Sequence, residues 1–200
     1  MTPRLLAILA HPSADSLNAA LHAAYLDGAK RLVEVEELTL SALSFDPLLR
    51  AGFDGTQPLE PDLKRARRSI EAAQHVSWFF PTWWAGPPAL LKGFVDRTFL
   101  PGWAFRYDEG KALPTPLLTG RTARVITTMD SPGWWYRIWH RRSVHASFTN
   151  ATLRFVGFGK VRHSTLFGVR TMSAEKRKAA IERMRRRGAE DAKKLLARRA

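Results

Sequence analysis

The segment Phe80-Pro81-Thr82-Trp83-Trp84-Ala85-Gly86-Pro87-Pro88-Ala89-Leu90-Leu91-Lys92-Gly93-Phe94-Val95-Asp96-Arg97 constrains this chain more than any other. An apolar run over 76–80 stops at Pro81, and Pro81, Gly86, Pro87 and Pro88 crowd around two tryptophans that must lie on a turn. A helical pattern follows, with proline in its first turn, where a missing N–H costs nothing. Large aromatics between the carboxyl end of a strand and a helix stand where open α/β sheets bind flat ligands. An indole can cover such a ligand's apolar face while loop N–H groups meet its heteroatoms. Residue type alone leaves a second reading open, in which Trp83 and Trp84 plug the sheet edge against a neighbouring loop.

A second segment has the same grammar. An apolar run over 5–10 is followed by His11-Pro12-Ser13-Ala14-Asp15-Ser16-Leu17-Asn18, then by helical spacing in Leu21, Ala24, Tyr25 and Gly28. Strand, short polar loop and helix N-terminus together offer free N–H groups and a positive dipole end to a phosphate. Ser16 and Asn18 carry side-chain donors for phosphate oxygens, and His11 adds charge or another donor. Ordinary capping by Ser16 or Asn18 is the competing explanation. No glycine-rich dinucleotide or Walker loop is present.

In combination, these segments resemble the flavodoxin-fold NAD(P)H:quinone oxidoreductases, small flavin-dependent quinone reductases and their potassium-efflux ancillary relatives. Leu9-Ala10-His11-Pro12 with Ser16-Leu17-Asn18 matches the phosphate loop, and Pro81 to Gly93 with Asp96-Arg97 matches the isoalloxazine loop and its helix. Phe45-Asp46-Pro47, Gly102-Trp103-Ala104-Phe105 and Thr127-Thr128 resemble weaker family motifs. The resemblance runs over most of residues 4 to 168.

The alternation of patterns predicts strands over 4–10, 33–40, 76–80, 122–128 and 161–167. Helices are predicted over 17–30, 61–74, 87–99, 139–156 and 173–199. Strand and helix in turn imply a parallel sheet covered on both faces, with right-handed crossovers. The resemblance supplies the rest: a flavodoxin-like three-layer α/β sandwich in one domain over 1–200, with strand order 2-1-3-4-5. In that order the loops after the first and third strands meet at one switch point. The segments 41–60 and 100–121 read as loops or short insertions.

The resemblance also implies a site. His11, Ser16, Leu17 and Asn18, with the N–H of Ala20, hold the flavin phosphate. Pro81, Thr82, Trp83, Trp84 and Ala85 embrace the ring, joined by Thr127 and Thr128. Where the family continues with two glycines, this chain has Met129 and Asp130, whose Cβ atoms restrict positive φ. Asp130 either accepts a hydrogen bond from a ring N–H or caps the next turn; its place before Ser131-Pro132-Gly133 favours the cap. Tyr136 and His140 are candidates for stabilising charge on a quinone oxygen, although they do not align in register with the family's Tyr and His. A helix start packed on a partner subunit is the other reading of this pair. His145 and His163 show no convergent ligand set and read as ordinary histidines, and no metal site is expected. His22 and His75 receive no role.

The implied chemistry is hydride transfer from NAD(P)H to a quinone or similar flat acceptor. One site serving two substrates in turn implies ping-pong kinetics. FMN is the expected cofactor, from the short chain and compact first loop, with FAD the second option. A homodimer is implied, and the tryptophans near 134–139 suit an interface. The chain has no cysteine, so thiol catalysis and disulfides are excluded and any redox chemistry belongs to a bound group. No apolar window approaches the roughly 20 residues of a membrane helix and no secretory signal opens the chain, so a cytoplasmic protein is expected.

Charge suggests a rival. The formal net charge is +14, and residues 171–200 hold eleven lysines and arginines against four acidic residues. Ile181, Met184, Gly188, Ala192 and Leu195 form a buried stripe at helical spacing, leaving Arg185, Arg186 and Arg187 solvated. Such a balance attracts anionic partners, whether nucleic acid, a membrane surface or acidic substrates and nucleotides, but no nucleic-acid-binding motif accompanies it. A regulatory flavoprotein acting on a transport protein, and a nucleic-acid-binding protein on a degenerate flavodoxin fold, are the alternatives.

Overall fold

The computed structural model describes residues 3–53 and 55–198. Among the described residues seven strands form in chain order: β1 (Arg4–Leu9), β2 (Glu34–Thr39), β3 (His75–Pro81), β4 (Phe105–Arg106), β5 (Thr115–Pro116), β6 (Thr122–Met129) and β7 (Val161–Phe167). The five long strands make one sheet in the order β2-β1-β3-β6-β7, every pair parallel. Counting long strands only, this is the anticipated 2-1-3-4-5 order. All residues of β3 and β6 are buried, as expected of strands covered on both faces.

Side-chain alternation divides the core into two layers. Leu6 and Ile8 of β1 pack beneath α2 (Pro61–Ala72) and α3 (Ala89–Thr98), while Leu5, Ala7 and Leu9 pack beneath α1 (Leu17–Ala29) and α5 (Ala174–Ala197). On the second face α1 and α5 touch backbone to backbone. A Cβ added to Gly188 would lie 2.0 Å from the Tyr25 carbonyl oxygen, and one on Gly28 would lie 1.9 Å from that of Arg185. The anticipated stripe on α5 needs one amendment: Ile181 is only half-buried, and Asp191 is buried instead because it pairs with Arg124 of β6. Arg185 and Arg187 are not simply solvated. They pair with Asp27 and Glu182, and with Glu190. The anticipated end of this helix at Arg199 lies outside the described residues.

Two helices differ from expectation. α3 begins at Ala89, and Pro88 is its N-cap, whose carbonyl accepts the first helical bond from Lys92 N–H at 3.0 Å. The single helix expected over 139–156 is two pieces. A short α4 (Gly133–Ile138) ends before Arg141 and Arg142, both at positive φ, and a π-helical turn then runs His145–Arg154. Two consecutive left-handed residues cannot continue a right-handed helix, so the chain turns back toward β7.

The segment 41–60 is a loop apart from a 3-10 turn, Leu40–Ala42, and it is pinned to α3. The fully buried Arg97 guanidinium donates to both carboxylate oxygens of Glu60 (3.0 and 2.9 Å) and to the carbonyls of Asp46 and Pro58. Gly93 leaves room for Pro47, whose Cβ would stand 2.5 Å from any Cβ placed there. The Phe45-Asp46-Pro47 and Gly93…Arg97 motifs therefore form one joint. Within 100–121, β4 and β5 pair as a small antiparallel ribbon. Among the described residues no helix is long and apolar enough to cross a membrane.

Candidate active site

Three loops follow the carboxyl ends of β1, β3 and β6. Leu9 pairs with Phe79 and Pro81 with Thr128, so the loops are neighbours by strand register. The ladder continues one step further through Thr82 N–H to Thr128 O at 2.7 Å.

In the first loop Ser16 is the N-cap of α1. Its Oγ accepts Ala19 N–H at 3.1 Å and its carbonyl accepts Ala20 N–H at 3.0 Å. The Ala20 amide, expected as a phosphate donor, is engaged inside the helix. Leu17 and Asn18 precede the first intrahelical donors and keep the free amides of the helix start. A capping hydroxyl still has its own proton to donate, so capping and anion binding by Ser16 are compatible. The Asn18 side chain is buried and donates to Thr128 Oγ1 at 2.8 Å, while its Oδ1 has no partner. His11 Nδ1 stands 3.0 Å from Ser13 N, and its ring meets the Trp83 ring edge-on at 6.1 Å.

The second loop is a tight turn. Trp83 and Gly86 exchange backbone hydrogen bonds (3.0 and 2.9 Å), and the residues between them, Trp84 and Ala85, sit at φ 49° and 60°. Positive φ at both central residues is the type I′ geometry, which glycine and asparagine normally occupy. Non-glycine residues in this region each cost about 1–2 kcal/mol. The turn leaves Trp84 fully exposed, and Trp83 47% exposed. Trp84 packs on nothing in this chain, so it does not plug the sheet edge. Beside it, the Thr82 hydroxyl is buried without a hydrogen-bond partner.

In the third loop Met129 is the buried last residue of β6, and neither it nor Asp130 adopts positive φ. Asp130 does not cap its own following turn. Its Oδ1 accepts Arg170 N–H at 2.8 Å, tying this loop to the one after β7. Thr127 and Thr128 are buried within β6: Thr127 Oγ1 bonds Thr165 Oγ1 at 3.3 Å, and Thr128 meets Asn18.

A cleft of about 650 Å³ lies between the second and third loops, with Thr82, Trp83 and Trp84 on one side and Met129, Tyr136 and His140 on the other. The expected pair Tyr136 and His140 does line one space, but the two side chains are not hydrogen-bonded to each other. His140 Nε2 accepts from Trp135 Nε1–H at 3.2 Å. Tyr136, 2% exposed, places its hydroxyl 3.0 Å from His145 Nδ1 and accepts Val144 N–H at 3.2 Å. Burial raises the phenol above its usual value. His145 in turn stacks on His163, ring centroids 3.8 Å apart. Both histidines are partly buried, and they extend the polar wall behind Tyr136. Burial lowers both imidazoles, that of His163 to about 4, so both are neutral near pH 7. Only the break after α4 brings His145 to Tyr136, and no local pattern announces it.

The donor set suits a flavin. Free helix-start amides and the Ser16 hydroxyl fit a phosphate. The unpaired Thr82 hydroxyl is a buried polar atom in the cleft that a ring heteroatom would satisfy. The exposed indoles fit a flat apolar face.

Comparison with known proteins agrees with this geometry. The profile of the family described as flavodoxin-like fold matches residues 3–190. NAD(P)H dehydrogenase (quinone) 1 of Rattus norvegicus is 27% identical over 216 residues, which cover 92% of this chain and 76% of that protein. Among solved structures, an NAD(P)H:quinone oxidoreductase from Methanothermobacter marburgensis superposes with a TM-score of 0.79 at 22% identity, over 94% of this chain and 98% of that one. An FMN-dependent NADH-azoreductase from Bacillus anthracis, in complex with FMN, gives 0.71 at 17%, over 96% and 99%. The chain belongs to the flavodoxin-like fold family, and it is similar over most of its length to oxidoreductases of the NAD(P)H dehydrogenase (quinone) type.

Proposed function

We propose that this protein is an FMN-dependent NAD(P)H oxidoreductase that reduces a quinone or similarly flat acceptor by a ping-pong sequence in one cleft. The observation that carries the reading is the strained Trp84-Ala85 turn set beside the buried, unpaired Thr82 hydroxyl, facing Met129 and Tyr136 across the cleft. Strain held at a loop that buries nothing of its own is typical of sites where a ligand completes the structure. FMN, when bound, carries the two-electron redox chemistry that no side chain here can supply.

The chain's own groups bind and position. The α1 start and Ser16 hold the phosphate, and Trp83 limits one edge of the ring site through its contact with His11. Tyr136 presents a hydroxyl kept protonated by burial, with His145 behind it as hydrogen-bond partner. A neutral donor of this kind stabilises negative charge building on an acceptor oxygen. The name of the FMN-bound azoreductase supports FMN over FAD. The exposed Trp84, Trp134, Ile138 and Trp139 support a homodimer whose partner covers them.

The test is spectroscopic. The protein is incubated with FMN, desalted, and mixed with NADPH or NADH without oxygen. Retained flavin absorbance that bleaches, and returns on addition of a quinone, is expected. No retained flavin with either FMN or FAD would overturn the reading.

A further inference from the structure

Behind Tyr136 lies a second cavity of about 260 Å³, formed between α4, the π-helical turn and β7. Its wall is made almost entirely of hydrogen-bond donors or groups able to become donors. His163 and Thr165 project from the same face of β7 by strand alternation, and His145, Arg137 and Arg142 close it from the other side. No carboxylate lines it, and among the described residues neither Arg137 nor Arg142 has a carboxylate within ion-pair distance. Arg142 is held at φ 53° by the break after α4, and Arg137 lies over the Phe167 ring at 5.8 Å.

Each histidine has one nitrogen engaged by protein: His145 Nδ1 by Tyr136 and His163 Nε2 by Thr149 at 3.3 Å. The other nitrogen of each has no protein partner among the described residues. Two positive charges on exposed arginines, a hydroxyl and two imidazoles around a small space describe a receptor for an oxyanion. Both imidazoles are depressed first by burial, and then by Arg142 for His145, and by His145, Arg154 and Arg124 for His163. A bound anion counters these influences, so it strengthens its own site.

The cavity shares the Tyr136 wall with the larger cleft. We propose that it is an oxyanion subsite of the same active centre, receiving a sulfonate, carboxylate or phosphate carried by a substrate whose ring lies in the cleft. The proposal rests on the reading of that cleft as the place of hydride transfer. Two sources have this chemistry: an acidic substituent on the acceptor, or a phosphate of the nicotinamide nucleotide.

The experiment has a binding arm and a turnover arm. Naphthalene-2-sulfonate and the neutral naphthalene-2-sulfonamide are titrated calorimetrically into the protein with and without FMN, for the wild type, Arg137→Gln, Arg142→Gln and the surface control Arg186→Gln. The sulfonate is expected to bind roughly tenfold or more tightly than the sulfonamide, the scale of a charge-assisted hydrogen bond. That advantage should vanish in Arg137→Gln and Arg142→Gln and persist in Arg186→Gln. In turnover, loss of preference for a sulfonated over an unsubstituted naphthoquinone assigns the subsite to the acceptor. Loss of preference for NADPH over NADH assigns it to the nucleotide. Equal affinity for the two naphthalenes in the wild type, or the same loss in Arg186→Gln, overturns the subsite. A protein that binds the sulfonate selectively but whose flavin NAD(P)H does not bleach would keep the subsite and refute the reductase reading.

Discussion

The carboxamide of Asn18 lies 2.8 Å from Thr128 Oγ1, joining the first turn of α1 to the end of β6 across 110 residues of sequence. This bond sets the distance between the phosphate end of the site and its third loop. It also pairs one end of a buried polar side chain, whose other end, Oδ1, has no protein partner.

Replacing Asn18 by Ala removes that tie. FMN affinity, measured by quenching of flavin fluorescence, is expected to fall about tenfold or more, with roughly 1 kcal/mol lost from the free protein's stability. Trp83→Ala should weaken the flavin as well, whereas Arg186→Ala should leave it alone. Unchanged flavin affinity in Asn18→Ala would remove the α1 start from the site.

The turn at Trp84-Ala85 predicts stability and binding moving in opposite directions. Ala85→Gly relieves a left-handed residue at φ 60° and should stabilise the apoprotein by about 1 kcal/mol in urea unfolding. Flavin affinity should fall, because the freed loop must be ordered on binding. A variant less stable than wild type would show that the turn is not strained.

The joint between α3 and the 41–60 loop is expected to be intolerant. Arg97→Met leaves Glu60 without its bidentate partner and strands the carbonyls of Asp46 and Pro58. Breaking an ion pair with one fully buried partner costs about 3–5 kcal/mol. Lysine at this position should rescue little, since it cannot reproduce the planar fork. Gly93→Ala should also destabilise, by pushing Pro47 away. Thermal unfolding within about a degree of wild type for either variant would refute the joint.

Acid sensitivity should come from the other end of the sheet. Tyr25 donates to Asp191 at 2.9 Å and stands 3.2 Å from His75 Nε2, while His75 Nδ1 meets Thr122 at 2.8 Å. Burial, reinforced by Arg124 and Arg162 and opposed by Asp191, lowers His75 to about 4. The unfolded chain takes up this proton near pH 6.5, so between pH 6.5 and 4 it binds more protons than the folded chain. Stability therefore drops as pH falls through that window, by roughly 3 kcal/mol at most from this group. Burial alone would raise Asp191, yet the Arg124 hydrogen bond and nearby positive charge leave it lowered, which adds acid sensitivity of the same sign. Urea unfolding at pH 7 and pH 5 checks this, and His75→Gln should flatten the dependence.

Much of this architecture was legible in linear order. Apolar runs ending at His11 and Pro81 located two strand ends, and the crowding of Pro81, Gly86, Pro87 and Pro88 located the turn that carries Trp83 and Trp84. These are local signals, read from composition over a few residues. The capping by Ser16 was also visible as one of two uses, and the structure shows that it occupies Ala20 N–H as well. By contrast, nothing near Asp191 in sequence marks it as buried, because its partner Arg124 is on another element. The helix expected over 139–156 missed the break because Arg141 and Arg142 are good helix formers by residue type. Their left-handed geometry goes with Arg142 N–H bonding back to the Tyr136 carbonyl and the Ser143 hydroxyl bonding to the Ala85 carbonyl.

By itself, then, the sequence determined the alternation of strands and helices, the ends of the strands that carry the loops, and the residue types offered there, because hydrophobic period and turn chemistry act between near neighbours. Only the tertiary structure decided which of those residues share a space. The pairing of Tyr136 with His145 and not His140 depends on the break after α4, while the stacking of His145 on His163 and the joining of Asn18 to Thr128 depend on separate elements meeting across the fold. Their geometry is set by how the two helical layers pack on a common sheet, which no local pattern encodes.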